Sequence, residues 1–290
     1  MESEDTEYPS RAAHSIGLRR FLGYTFEISS DDADVARYVG SLFDSFDAPA
    51  DDADVHPIVL LTKTPDKTDV LVIDGKKETT EAMPGRIVSA VVHALTRRMI
   101  EDSDALGVHA GGVVRGDAAI ALPAQMESGK STLTAGLVRA GFSYLTDEAV
   151  MFDWDGLTVI PFPKPISLDP GSWSLFPELE PDAPLPIGFK DEQWHVPPDA
   201  IRPGSVAAPC RITHLVFPKY TEGVTTRLTR LGRAEGTIEL AKNTFRFNER
   251  SRRSLDALAA VVQETDCYRL EVGNLERAVE LVGELATQSP

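Results

Sequence analysis

The chain has 290 residues, 42% of them hydrophobic, and carries 45 Asp and Glu against 29 Lys and Arg, a formal net charge of −16. That length and apolar share suffice for one large domain or two modest ones with a sizeable core, while so acidic a balance argues against general binding to nucleic acid or to an anionic membrane. Its two cysteines, Cys210 and Cys267, fit neither a disulfide framework nor a metal-ligand spacing, and no apolar run approaches a membrane span. The acidic, polar start does not resemble a signal peptide, so a soluble, reduced, cytoplasmic protein is expected.

Residues 1–16 read as a disordered acidic tail. Residues 17–104 read as a small N-terminal α/β unit. Within it, 19–28 (RRFLGYTFEI) predicts one strand with Gly23 as a bulge. Ser29 or Ser30 is expected to cap a helix whose apolar face is Val35, Val39, Leu42, Phe43 and Phe46. Residues 47–54 form an acidic loop, 58–61 and 70–73 read as strands, and Asp74-Gly75 is a turn. Pro84 opens a helix over 86–100, whose broad apolar face of Ile87, Val88, Val91, Val92, Leu95 and Met99 predicts burial. This unit carries no catalytic motif; a substrate-docking module and a lid are both open.

The remaining 105–290 is organised around 118–148 (AAIALPAQMESGKSTLTAGLVRAGFSYLTDE). A short apolar run, 118–122, predicts a buried strand, and Leu133, Leu137 and Val138 lie on one face of a following helix. Between them AQMESGKS, residues 124–131, is a Walker-A pattern with Ala124 where Gly is usual and Glu127 where glycine often stands. In that strand–loop–helix context the amides of Ala124, Gln125, Met126, Glu127, Ser128 and Gly129, with the helix start, make a positive cradle for phosphate oxygens. Lys130, expected to face solvent, would reach the β- and γ-phosphates of ATP, Ser131 would offer a hydroxyl to Mg²⁺, and Thr132 would contact a phosphate. A second strand, 142–145, ends in Thr146, Asp147 and Glu148. Paired acids at a strand end beside such a loop can bind Mg²⁺ or accept a hydroxyl proton. Upstream, His109 lies among small residues (GVHAGG, 107–112), which predicts close backbone packing and a place near the phosphates.

Together, residues 107–150 resemble the kinase core of the HPr kinase/phosphorylase family, and more closely its stand-alone HPr-kinase-like members found with peptide-modifying gene sets. Residues 161–173 (PFPKPISLDPGSW) and 267–282 (CYRLEVGNLERAVELV) also resemble those members. The resemblance implies an HPr-kinase-like, PEP-carboxykinase-like fold: an α/β protein with a P-loop core on a mixed sheet. It implies that Asp147 is the general base, that Glu148, where Asp is usual, helps Ser131 hold Mg²⁺, and that His109 lies near the transferred phosphoryl group. The C-terminal signature Glu-x-Arg-Gly-x-Gly of true HPr kinases is missing, which argues against HPr as substrate and against phosphorolysis.

Farther on, Asp155-Gly156 reads as a hairpin turn between 151–154 and 157–162. Residues 161–209 are Pro-rich, with Trp173, Phe176, Phe189 and Trp194, and lack a long periodic segment; Lys164 could bind phosphate, and His195 reads as structural. Strands are expected at 212–217, 225–231 and 268–272, and helices at 234–243, 255–262 and 275–286. Arg246, Arg250, Arg252 and Arg253 form the one basic cluster, either a solvated face or a site for phosphate or an acidic peptide. The expected activity is an ATP- and Mg²⁺-dependent kinase acting on a Ser or Thr hydroxyl of a protein or peptide, with no nucleic-acid or membrane partner; a homo-oligomer is left open. A small-molecule hydroxyl kinase and a nucleotide-binding scaffold with weak or no catalysis are the alternatives.

Overall fold

In the computed structural model the described residues are 8–49, 54–62, 69–78, 87–154, 158–182, 193–248 and 251–287. The protein is mixed α/β, divided into two compact units: Met1–Ser103 with Leu168–Pro197, and Asp104–Ser167 with Pro198–Pro290. Among the described residues no helix is long and apolar enough to cross a membrane.

The first unit holds a five-stranded sheet in the order β1-β2-β3-β4-β5. Strands β1 (His14–Phe21) and β2 (Tyr24–Ser30) are an antiparallel hairpin, so the single strand expected over 19–28 is two. Leu22 (φ 46°) and Gly23 (φ 94°) both take the left-handed conformation that a two-residue hairpin turn requires. Gly23 is therefore the turn, and the irregular register falls earlier, between Ser15 and Leu18. Because β1 begins at His14, the expected tail is too long at its C-terminal end; residues 1–7 lie outside the described residues. Helix α1 (Ala33–Ser41) is capped by Asp32, whose carboxylate accepts from Asp34 N and Val35 N, while Ser29 and Ser30 belong to β2. Val35 and Val39, with Leu42, Phe43 and Phe46 just beyond the helix, are all buried.

The α1 crossover makes β3 (Val55–Leu61) parallel to β2. Strand β4 (Val70–Ile73) pairs antiparallel with β3 and with β5 (Lys76–Lys77) across the expected Asp74-Gly75 turn. Helix α2 (Ile87–Asp102) buries all six apolar residues of its expected face. Pro84, expected to open it, lies outside the described residues.

The second unit is built on a larger mixed sheet. Its centre is β6 (Leu106–Arg115) beside β7 (Ala118–Pro123), antiparallel and entirely buried along β7. Helix α3 (Lys130–Arg139) follows, then β8 (Ser143–Thr146), β9 (Ala149–Phe152) and β10 (Thr158–Ile160). Strands β9 and β10 pair antiparallel as expected of a hairpin, though Asp155 and Gly156 lie outside the described residues. Among its described residues the Pro-rich stretch yields only short pieces: β11 (Ile166–Leu168), α4 (Pro170–Trp173), a 3₁₀ turn at Pro177–Leu179, β12 (Trp194–Val196) and α5 (Pro198–Ile201). Within the first unit, Trp173 and Trp194 stack with ring centres 4.9 Å apart, and Phe176 is fully buried; Phe189 lies outside the described residues.

The remaining elements are β13 (Cys210–Arg211), β14 (His214–Tyr220), β15 (Arg227–Arg230), α6 (Arg233–Lys242), α7 (Ser251–Gln263), β16 (Asp266–Val272) and α8 (Leu275–Thr287). The sheet order is β13-β10-β9-β6-β7-β14-β16-β15, with β8 also on β6. Strands β7, β14 and β16 are parallel, so all three deliver their carboxyl ends to one side.

One edge of β6 is shared. Residues Leu106 to His109 pair with β9, and Gly112 to Val114 pair with β8. Asp147 and Glu148 form the corner at which pairing passes from one strand to the other, pinned by Ala110 N donating to Glu148 O at 3.1 Å. On the same strand, a Cβ at Gly111 would lie 2.5 Å from Thr134 Oγ1 and 3.4 Å from Lys130 Cγ, so α3 packs directly on bare backbone. Gly111→Ala should therefore push α3 away from β6. Overpacking of this kind costs about 1–3 kcal/mol, and the melting temperature should fall by several degrees; an unchanged melting curve would show slack between strand and helix.

Candidate functional site

Residues 124–129 leave the buried end of β7 and turn into α3. The loop is tied at both ends by backbone: Ala124 N donates to His109 O (3.3 Å), and Ser128 O accepts from Tyr220 N (3.0 Å). Two loop residues are left-handed, Glu127 (φ 62°) and Gly129 (φ 82°), the latter as N-cap of α3. Glycine takes this conformation freely, whereas an L side chain costs about 1–2 kcal/mol there, so Glu127 holds a backbone conformation that a glycine would adopt without strain. Ala124 is buried, while Gln125, Met126 and Glu127 are exposed and Ser128 and Gly129 are half-buried. Among the described residues, no protein acceptor is found for the amides of residues 125–131. Unpaired amides curled at a helix start form an anion-binding concavity.

Lys130 differs from expectation. It is 7% exposed rather than solvent-facing, and its Nζ donates to Asp147 O at 2.5 Å and stands 4.0 Å from Asp147 Oδ1. The cause is the corner between β8 and β9, which sets Asp147 beside the base of α3. Thr146 fixes that corner, its hydroxyl accepting from Glu148 N and Ala149 N.

Asp147 is itself 1% exposed. Its Oδ2 accepts from Ser167 N (3.2 Å) and lies 3.6 Å from Lys164 Nζ. Its Oδ1 is buried and makes no hydrogen bond. Lys164, 1% exposed, also donates to Pro165 O (2.8 Å) and Ser167 Oγ (3.4 Å), while its carbonyl accepts from the buried Tyr144 hydroxyl (2.8 Å). Sequence reasoning weighed Lys164 only as a phosphate ligand. The structure places it as a buried counter-charge to Asp147, and the one signal in the sequence is a lysine held between two prolines just after the acidic pair.

Glu148 pairs with His109, whose Nε2 is 3.4 Å from Glu148 Oε1. Burial pushes the Glu148 carboxyl up, but His109 hydrogen bonding and the charges of Lys164, Lys130 and His109 together outweigh it and hold it down at about 2. The His109 ring is 5.9 Å from Phe245, and the backbone of 243–245 brackets the strand there: Asn243 O accepts from His109 N and Phe245 N donates to Gly107 O.

The structure thus brings His109, Lys130, Asp147 and Glu148 together and adds Lys164. It forms no hydrogen bond between Ser131, which is half-buried at the helix start, and Glu148; Thr132 is also half-buried. Among the described residues no group of three or more His, Cys, Asp and Glu side chains is arranged to hold a metal ion. The oxygen donors that Mg²⁺ prefers are nevertheless present in Ser131, Glu148 and the hydrogen-bond-free Asp147 Oδ1. Of the basic cluster, Arg253 lies over the Trp154 ring (4.1 Å), Arg246 has a left-handed backbone (φ 49°), Arg252 lies on α7, and Arg250 lies outside the described residues. His195 is buried in the first unit with Nε2 2.9 Å from Ser89 Oγ. No family model matches this chain, and no curated protein matches it significantly.

Two outcomes follow from this geometry. Removing Lys164 leaves a buried carboxylate short of a cation, so Lys164→Met should destabilise the fold by on the order of 3 kcal/mol in denaturant titration; a loss within error would mean that Lys130 alone balances Asp147. For Glu148, a lowered carboxyl contributes stability above its unfolded value, and that contribution is lost as pH falls through the folded value. The stability difference between wild type and Glu148→Gln should therefore narrow as pH falls from about 4.5 to about 2, and a difference constant over that window would refute the ion-paired assignment.

Proposed function

We propose that the protein is an ATP-dependent kinase with an HPr-kinase-like P-loop core, transferring the γ-phosphoryl group to a Ser or Thr hydroxyl of a protein or peptide. The observation that carries the reading is the buried, hydrogen-bond-free Asp147 Oδ1 beside Lys130, at the foot of a loop whose amides are unpaired. Leaving a buried polar atom without a hydrogen bond costs about 1–3 kcal/mol, an expense a general base justifies because its hydrogen-bond partner is the substrate.

In this reading the amides of 125–131 bind the phosphates and Lys130 neutralises their charge. Ser131 and Glu148 would hold Mg²⁺, which supplies charge neutralisation on the phosphates when bound. Lys164 and the Ser167 amide fix Oδ2, which leaves Oδ1 to accept the hydroxyl proton. His109 holds Glu148 in place through the 3.4 Å contact. Ala124 is buried just past the end of β7 and Glu127 is exposed, so neither departure from the usual loop pattern requires a side chain inside the cradle. The polypeptide acceptor rests on the resemblance to the stand-alone HPr-kinase-like proteins. The chain's acidity adds a weak preference for a basic or neutral peptide.

Asp147→Asn should lower the transfer rate by about 10²–10⁴-fold while leaving nucleotide affinity nearly unchanged, since an amide of the same shape cannot take the proton. Incubation with Mg-ATP and separate pools of cellular peptides and metabolites, read by mass spectrometry, should label peptides on Ser or Thr. Labelling confined to metabolites would favour the small-molecule kinase, and nucleotide binding with no labelling at all would favour the scaffold.

A further inference from the structure

Two large apolar side chains are exposed near the loop, Met126 (83% exposed) within it and Tyr220 (52% exposed) beside it. Tyr220 is the last residue of β14, on the side where β7 also ends. Its backbone N–H holds Ser128 O at 3.0 Å. A Cβ at Gly129 would lie 3.1 Å from Tyr220 Cβ and 3.9 Å from its Cγ, so the tyrosine side chain starts out against the last turn of the loop. Gly129 is thus required twice, by its left-handed backbone and by the closeness of Tyr220. The Tyr220 hydroxyl has no hydrogen-bond partner among the described residues. Half of this aromatic side chain is in water, at the margin of a concavity lined by unpaired amides.

We propose that Tyr220 is the platform on which the base of the bound nucleotide stacks. The inference rests on the reading of 124–131 as the phosphate cradle, and adds to it the residue that recognises the nucleoside end of the ligand. A nucleotide whose phosphates take the loop amides projects its base out of the concavity, and the exposed aromatic beside Ser128 and Gly129 offers that base a face. Base–aromatic stacking contributes about 1–3 kcal/mol and tolerates any base, because every base has a π-face. Tyr220 has no edge with which to tell one purine from another across a stacked face. ATP and GTP are therefore bound alike.

The test measures, by calorimetry on the full chain, binding of ATP, GTP and inorganic tripolyphosphate to wild type, Tyr220→Ala and Tyr220→Phe, with circular dichroism confirming each fold. Tyr220→Ala should weaken ATP and GTP by about 5–150-fold and leave tripolyphosphate unchanged, and Tyr220→Phe should behave as wild type. An equal loss for tripolyphosphate would mean that the ring only shapes the loop, and overturns the platform. So would unchanged ATP binding in Tyr220→Ala, or wild-type affinity for ATP no tighter than for tripolyphosphate. If wild type binds none of the three ligands, the phosphate cradle itself falls and the platform with it.

Discussion

A carboxylate almost wholly removed from water must be matched by positive charge, and the second unit is arranged around that need at Asp147. Lys130 reaches it from the start of α3 and Lys164 from the segment after β10, and both lysines are themselves buried. Three charges drawn out of water cost several kcal/mol each before pairing. Keeping them in a core that could have been apolar is the cost that the proposed function would account for. Lys130 is also the residue that the phosphate reading needs, so in that proposal one ammonium group would serve both the Asp147 carboxylate and the phosphates. In this structure its Nζ also donates to the Asp147 carbonyl.

Strand β6 makes this corner. It pairs with β7 along one side and hands its other side from β9 to β8, and the acidic pair fills the handover. His109 and Gly111 sit on that same strand, one beside Glu148 and the other under α3. The loop, the helix and the acids are thus referenced to one piece of backbone, and β14 adds a second reference through Tyr220 and Ser128.

Much of this was legible in the residues. The apolar run into a glycine-lysine-serine loop and then a helix gave β7, the loop and α3, and the alternation of small residues around His109 gave close packing, which Gly111 and Thr134 display. What was not legible has physical causes. The hairpin at Leu22-Gly23 was hidden because leucine is a poor left-handed residue, so the pair does not advertise a turn as Asn-Gly would. Asp32 was passed over because Ser29 and Ser30 are equally good caps, and only the length of β2 decides among them. Lys130 reads as exposed, and the pairing of Lys164 with Asp147 does not show in the residues, because ion pairing across 17 residues is a tertiary fact with no local signature.

The shared edge of β6 also bears on how this chain can vary. Side chains alternate along a strand, so adding or deleting one residue within 106–115 would turn every following side chain to the opposite face. His109 or Gly111 would then lose its neighbour, and two pairings would have to be rebuilt at once. The exposed tip at 125–127 holds no strand register, but in the proposed reading its amides line the phosphate cradle, so its length is constrained for a different reason. Among descendants of this sequence, length changes should be purged from the strand and from the loop alike.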